Sequence, residues 1–268
     1  MANRVLITGS SSGIGQATVQ LMAAAGDEIV SLDIKDAPSG VAQHVHCDLA
    51  DPSSIDSALA AVDGNFDAVL NIAGVPGNLP AELVMKVNIL GLRHFSEAVA
   101  ERINDGGAVV NIASIAGFSW QRHLKELTEL LATPSFAEGL AWCQAKEMDG
   151  SVAYHWSKEA VVVYTMQLAG KLKDRRIRCN SISPGPVETP ILPDFIEQAG
   201  PGQIEWVIEE IGRAAQPVDI ANVVQYLATG PSEYINGRDH IVDGGFSAGI
   251  ALGWIDKNSS PLMKARKS

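Results

Sequence analysis

Two side chains in this sequence have the spacing of an acid–base pair. Tyr154 and Lys158 lie four residues apart in a stretch of helical character, so both project from one face. A free phenol titrates near ~10, too high for a base at neutral pH, and a nearby ammonium is expected to pull that value down. Such a phenol can protonate a carbonyl oxygen during reduction or accept an alcohol proton during oxidation, help worth about 10²–10⁴-fold. Ser114 ends the apolar run Asn111-Ile112-Ala113-Ser114 and offers a hydroxyl at a strand end. Tyr164 and Lys171 form a longer-spaced pair, but Tyr164 lies about three helical turns beyond Tyr154 and reads as core packing. His155 neighbours Tyr154 yet faces about 100° away, so it is not counted as catalytic.

These groups must be held by a scaffold, and its rhythm is visible. Short β-branched runs at 4–8, 28–33, 43–47, 67–72, 108–113, 177–182 and 240–242 alternate with helical candidates at 13–25, 52–62, 80–103, 151–173 and 217–229. Seven strands with intervening helices imply a doubly wound α/β fold of Rossmann type, with a parallel sheet covered on both faces. Ligands bind such sheets beyond the carboxyl ends of the strands. The 268 residues suit one domain, 1–268, with three departures from the rhythm: a helical insertion at 118–150, a lid-like Pro/Gly-punctuated stretch at 184–213, and a loosely ordered tail at 249–268.

The first strand runs into Thr8-Gly9-Ser10-Ser11-Ser12-Gly13-Ile14-Gly15, where a helix begins. Glycines let the backbone approach a pyrophosphate, and the helix N-terminus supplies free N–H groups and partial positive charge. The second strand ends at Asp33, 18 residues after Gly15. A carboxylate there accepts from ribose hydroxyls and repels a 2′-phosphate, so NAD(H) is expected over NADP(H), with Lys35 weakening the exclusion slightly.

The spacing TGxxxGxG resembles the short-chain dehydrogenase/reductase family, and the likeness runs from about residue 4 to 247. The resemblance implies an oxidoreductase in which Ser114 orients the substrate oxygen, Tyr154 is the acid/base and Lys158 reaches the nicotinamide ribose. It places Asp48 and Leu49 beside the adenine, and it makes Asn88 the helix-kinking asparagine that holds a proton-relay water. Cofactor contacts follow from the same likeness at Gly9, Ser12, Gly13, Ile14, Gly15, Asp33, Asn71, Ala73, Gly74, Pro184, Gly185, Val187 and Thr189. In Asn71-Ile72-Ala73-Gly74, Ile72 stands where the family carries a second asparagine, removing one side-chain hydrogen bond.

Ser114 and Tyr154 are 40 residues apart, which requires an insertion between them. Its apolar residues at helical spacing suggest a small helical piece beside the active-site mouth. This insertion resembles that of the bacterial 3α-hydroxysteroid dehydrogenase/carbonyl reductase branch, which implies a homodimer through the last helix and strand. The lid offers Ile191, Leu192, Phe195, Ile196, Ile204, Trp206 and Val207, with Arg213 the nearest basic group. A bulky, neutral, apolar carbonyl or alcohol therefore fits better than a carboxylate or phosphate; steroid-like ketones and aryl alcohols both qualify.

Composition narrows the classes. The formal charge of −11 disfavours nucleic-acid partners. The terminal basic group of Lys264, Arg266 and Lys267 reads as a solvated tail. No apolar run approaches the ~20 residues of a membrane span. Cys47, Cys143 and Cys179 form no CxxC pair, and with no leader evident a cytoplasmic location is expected. His44-x-His46 finds no third ligand, so no metal is expected.

Overall fold

The computed structural model describes residues 2–265; Arg266 and Lys267 of the terminal basic group lie outside them. The strands are β1 (Arg4–Thr8), β2 (Glu28–Asp33), β3 (Gln43–His46), β4 (Phe66–Asn71), β5 (Ile103–Ile112), β6 (Arg178–Pro184) and β7 (Asp239–Val242). They form one sheet in the order β3-β2-β1-β4-β5-β6-β7, parallel throughout. The order reverses between β1 and β4, where the strand ends splay and a ligand crevice opens. The central strands read as continuous apolar runs because helices cover both faces.

On one face α1 (Gly13–Ala24) and α10 (Pro217–Thr229) pack Val19, Met22 and Val224 against Val5, Ile7 and Leu70. The other face carries α2 (Pro52–Ala60), α3 (Ala81–Met85), α4 (Leu92–Val99) and α7 (Gly150–Lys171), which bury Phe66, Phe95 and Tyr164. Pro52 and Pro217 occupy first-turn positions, where a missing N–H costs nothing. None of the described helices is long and apolar enough to cross a membrane.

The helix expected over 80–103 is not continuous. Lys86–Gly91 forms a π-turn between α3 and α4, and Ile103 already belongs to β5, where it pairs with Phe66. Gly91 lies against the Leu49 carbonyl so closely that a β-carbon would come within 2.1 Å of it, and the local widening accommodates that approach.

The insertion forms α5 (Leu124–Leu131) and α6 (Phe136–Gln144). Both helices lie on the outer side of α7, with Leu127 and Leu130 buried in the core, while the start of the insertion, Ser119 to His123, stays beside the start of α7 next to the cavity. Arg93, 4% exposed, explains the placement. Its guanidinium donates to the carbonyls of Leu130 (3.1 Å) and Ser135 (3.2 Å) and to the Thr133 hydroxyl (3.1 Å), which capture the turn between the two helices. The lid resolves into α8 (Leu192–Ala199) and α9 (Gln203–Ile211). The tail is more structured than expected: α11 (Phe246–Leu252) and α12 (Pro261–Ala265) pack on the lid, and the Trp206 indole donates to Ser259 at 2.9 Å.

Candidate active site

A cavity of about 790 Å³ lies over the carboxyl ends of the strands and runs from Asp33 to the lid. Its inner half is built from backbone. Gly9 (φ +71°) follows β1, and a β-carbon there would come within 2.5 Å of the Ala73 backbone. At Gly15 a β-carbon would meet the Gly9 carbonyl at 1.9 Å, so no larger residue fits the loop. Ser12 precedes α1 without a side-chain cap, which leaves first-turn N–H groups facing the cavity, and the buried Ser11 hydroxyl has no partner among the described residues. A loop of this shape fits a pyrophosphate.

Asp33 accepts the backbone N–H of Ser11 and of Lys35, each at 2.9 Å, which fixes its carboxylate against the wall. Asp48, Leu49, Ala73, Gly74, Pro184, Gly185, Val187 and Thr189 line the same cavity, as do Ser12, Gly13 and Ile14. Gly185 donates to the Val242 carbonyl (3.1 Å) and Val187 bridges to Ala215, so the turn after β6 is held from two sides. These groups are the donors and acceptors a dinucleotide requires.

The outer half carries the acid–base groups. Asp149 caps α7 by accepting the Val152 N–H at 2.8 Å, setting the register that turns Tyr154 and Lys158 inward. Lys158 Nζ donates to the Ile112 carbonyl at 3.0 Å and lies 5.8 Å from the Tyr154 ring centre. Ser114 follows β5 and hydrogen-bonds Tyr154. Gly74 leaves the room: a β-carbon there would stand 3.4 Å from Lys158 Nζ.

The electrostatics depart from expectation. Burial pushes the Tyr154 phenol up to about 12, with the Ser114 hydrogen bond pulling the other way, and burial pulls Lys158 down to about 8. The lysine was expected to acidify the phenol; desolvation, which disfavours both charged forms, is the stronger effect.

Two expected site residues lie outside the cavity. Asn71 is buried beneath it and donates to Asn111 (2.7 Å) and Ser96 (2.9 Å), a polar cross-link within the core. Asn88 sits in the π-turn, accepts the Val75 N–H at 2.8 Å, returns a bond to the Val75 carbonyl at 3.0 Å and reaches Ser157 at 3.3 Å. Its side chain pins the Gly74–Val75 loop; it does not face the cavity. Tyr164 is core, 1% exposed, with its hydroxyl 3.5 Å from the Arg93 carbonyl, and Lys171 is at the surface. His44 bonds Ser31 at 2.8 Å within the sheet.

The substrate end is apolar, with Ile191, Leu192, Phe195, Ile204 and Val207 from the lid; Phe195 lies 5.2 Å from the Tyr154 ring. Ile196 and Trp206 do not line it, and Trp206 instead packs edge-on against Phe246 at 5.4 Å. Phe246, Gln198, Gln203 and Leu262 line the cavity and were missed. The one available signal was the apolar content of the tail, Trp254-Ile255 and Leu262-Met263, too rich for a free end. Gln198 accepts the Gly77 N–H at 2.8 Å and so ties the lid to the loop after β4.

Comparison with known proteins agrees with this geometry. A short chain dehydrogenase family model matches residues 3–125, and an enoyl-(acyl carrier protein) reductase model matches 139–247; the gap falls within the inserted helices. The chain is 35% identical to the coniferyl-alcohol dehydrogenase of Pseudomonas sp. (strain HR199 / DSM 7063), over 91% of this chain and 96% of that protein. It is 30% identical to the 3-alpha-hydroxysteroid dehydrogenase/carbonyl reductase of Comamonas testosteroni, with the same coverage. The crystal structure of the 3-alpha-hydroxysteroid dehydrogenase from Pseudomonas sp. B-0831, complexed with NADH, superposes with a TM-score of 0.81 at 28% identity, covering 93% of this chain and 98% of that one. With relatives this similar along nearly its whole length, the chain belongs to the short-chain dehydrogenase/reductase family, the oxidoreductases that act on CH–OH groups.

Proposed function

We propose that this single-domain protein is an NAD(H)-dependent dehydrogenase/reductase interconverting a secondary alcohol and a ketone on a bulky apolar body. The observation that carries the reading is that Tyr154, bonded by Ser114, shares one continuous cavity with the glycine loop and Asp33. Asp33 and the first turn of α1 would hold NAD(H), and Lys158 would bind its ribose hydroxyls. The bound nicotinamide supplies a hydride in reduction and takes one in oxidation. Ser114 hydrogen-bonds the substrate oxygen and turns it towards the phenol. In reduction Tyr154 gives its proton to that oxygen and is reprotonated from solvent; in oxidation it accepts the alcohol proton. Asn88 contributes by holding the Gly74–Val75 backbone in place. The apolar lid residues Phe195, Ile204 and Val207 line the outer half of the cavity, and a substrate body that displaces water against them strengthens each of these polar interactions.

A steroid-like ketone is the first reading for the substrate body, supported by the volume and by the hydroxysteroid relatives. An aryl alcohol is the second, favoured by the coniferyl-alcohol relative. The buried, unpaired Cys47, Cys143 and Cys179 suit a reducing cytoplasm, which cell fractionation tests. Tyr154→Phe removes the proton carrier while leaving the cavity walls intact. It is expected to lower kcat at least 10²-fold with the Kd for NADH unchanged. A variant that keeps most of its turnover would overthrow the assignment.

A further inference from the structure

The apolar lid contributes no cation to the substrate cavity, and Arg213 is taken by Asp219 at 2.6 Å. Basic groups do stand at the mouth, on the opposite side, where the chain between β5 and α5 meets the start of α7. A second cavity of about 380 Å³ opens there, lined by Ser119, Arg122, His123, Ser151, His155 and Glu159 among others. Ala116, Ser151 and His155 line both cavities, so the second lies directly beside the first.

The donor inventory of this vestibule is one-sided. Glu159, its one carboxylate, is 3% exposed and paired with His123 Nδ1 at 2.7 Å. Stacking of His123 on Trp156 at 4.8 Å fixes that pair in the wall. The Arg122 guanidinium has no partner among the described residues. His155 donates from Nδ1 to the Ser151 carbonyl at 2.8 Å, which leaves Nε2 as the acceptor nitrogen of that tautomer, so this ring offers an anion no further donor. The hydroxyls of Ser119 and Ser151 also lack partners among the described residues. With Glu159 held by His123, Arg122 is the one cation of this lining without a carboxylate partner among the described residues, on a chain of net charge −11.

We infer that this vestibule is a subsite for a carboxylate at the far end of the substrate, gripped by Arg122 with Ser119 and Ser151 in support. The inference rests on the proposed function, since it specifies what the apolar alcohol or ketone carries at the end away from the reacting carbon. A planar monoanion matches one guanidinium fork. A phosphate dianion would need a second cation, and His123, the nearest candidate, is engaged by Glu159. The substrate class is therefore an apolar hydroxy- or oxo-acid, not the neutral molecule that the lid alone suggests.

The test uses 4-(4-oxocyclohexyl)benzoate and its methyl ester, titrated calorimetrically into the whole protein, wild type and Arg122→Gln. Arg122 is exposed and unpaired, so the substitution leaves the fold intact. The wild type is expected to bind the acid about tenfold more tightly than the ester, equivalent to about 1.4 kcal/mol, and Arg122→Gln to abolish that preference. Equal affinities in the wild type, a preference that survives Arg122→Gln, or no binding of the acid would each overturn the subsite. NADH oxidation with the same two ketones is read separately. Its absence counts against the proposed reaction, while the affinity ratio still decides the subsite.

Discussion

Asp33→Asn isolates the charge that selects the cofactor. The wild-type carboxylate is 9% exposed and oriented by two backbone N–H groups, so it faces the cavity at a fixed position. Two unit charges ~4 Å apart at an effective dielectric of about 20 interact by about 4 kcal/mol, a ceiling of roughly 10³-fold against a 2′-phosphate. Solvent at the pocket edge and residual dipolar repulsion reduce this, and a 10- to 10²-fold shift is the working expectation. Lys35 lines the same end and stays in place to meet the phosphate once the carboxylate is gone. The substitution has a structural cost as well. An amide has one acceptor oxygen for two N–H donors, so about 1–2 kcal/mol of stability is lost. The assay is kcat/KM for NADPH divided by kcat/KM for NADH, in wild type and variant, under identical salt. A ratio that stays put while the melting temperature falls would show that Asp33 only braces the loop, and the argument from charge would be refuted.

Three further outcomes are expected. Because Tyr154 is held up to about 12, the neutral phenol dominates at pH 7; alcohol oxidation at saturating NAD should climb from pH 7 to 9, and a flat profile would count against Tyr154 as the base. Arg93→Met leaves the acceptors in the α5–α6 turn without their donor, so thermal unfolding should show a loss of about 2–4 kcal/mol; an unchanged melting temperature would mean that the insertion holds itself. The insertion covers the outer face of α7, so any homodimer should form through α10 and β7, the sheet edge that exposes Ile241 and Tyr226; light scattering of Tyr226→Glu should report a monomer, and an unaltered dimer would place the contact elsewhere.

Most of the inner half was legible in the sequence, because it is made of backbone. Gly9, Gly13 and Gly15 announce a loop where side chains have no room, and that constraint is local in sequence. Asp33 was equally legible as the last residue of an apolar strand. Tyr154 and Lys158 could be paired because one helical turn places them together. Side chains whose partners lie far along the chain were not legible. Asn71 looked like a cavity residue, yet its amide reaches Asn111 in the next strand. Asn88 was correctly linked to a helix irregularity, but only the fold shows that its amide pairs with Val75. The insertion was found from the Ser114–Tyr154 interval, but the packing of its two helices was not legible because a single buried guanidinium, Arg93, holds the turn between them.

Burial of the acid–base pair has a thermodynamic consequence that separates function from stability. Lys158 is held at about 8, below its ordinary value near ~10.5, so the folded state disfavours its charged form. Below pH 8 the folded chain carries a desolvated ammonium with one described hydrogen bond, to the Ile112 carbonyl, and stability is reduced. As pH rises from 8 towards ~10.5 the folded lysine is already neutral while the unfolded one still binds its proton, so this contribution to stability rises with pH. Tyr154 has the opposite sign: its raised value favours folding at pH below ~10, an advantage that fades as pH climbs towards 12. An apolar pair at these two positions would fold at least as well at neutral pH. The same desolvation keeps the phenol protonated and ready to donate, and makes the ammonium seek hydroxyl partners in the cavity. A residue that weakens the empty fold and faces the open cavity is best explained by what it binds there.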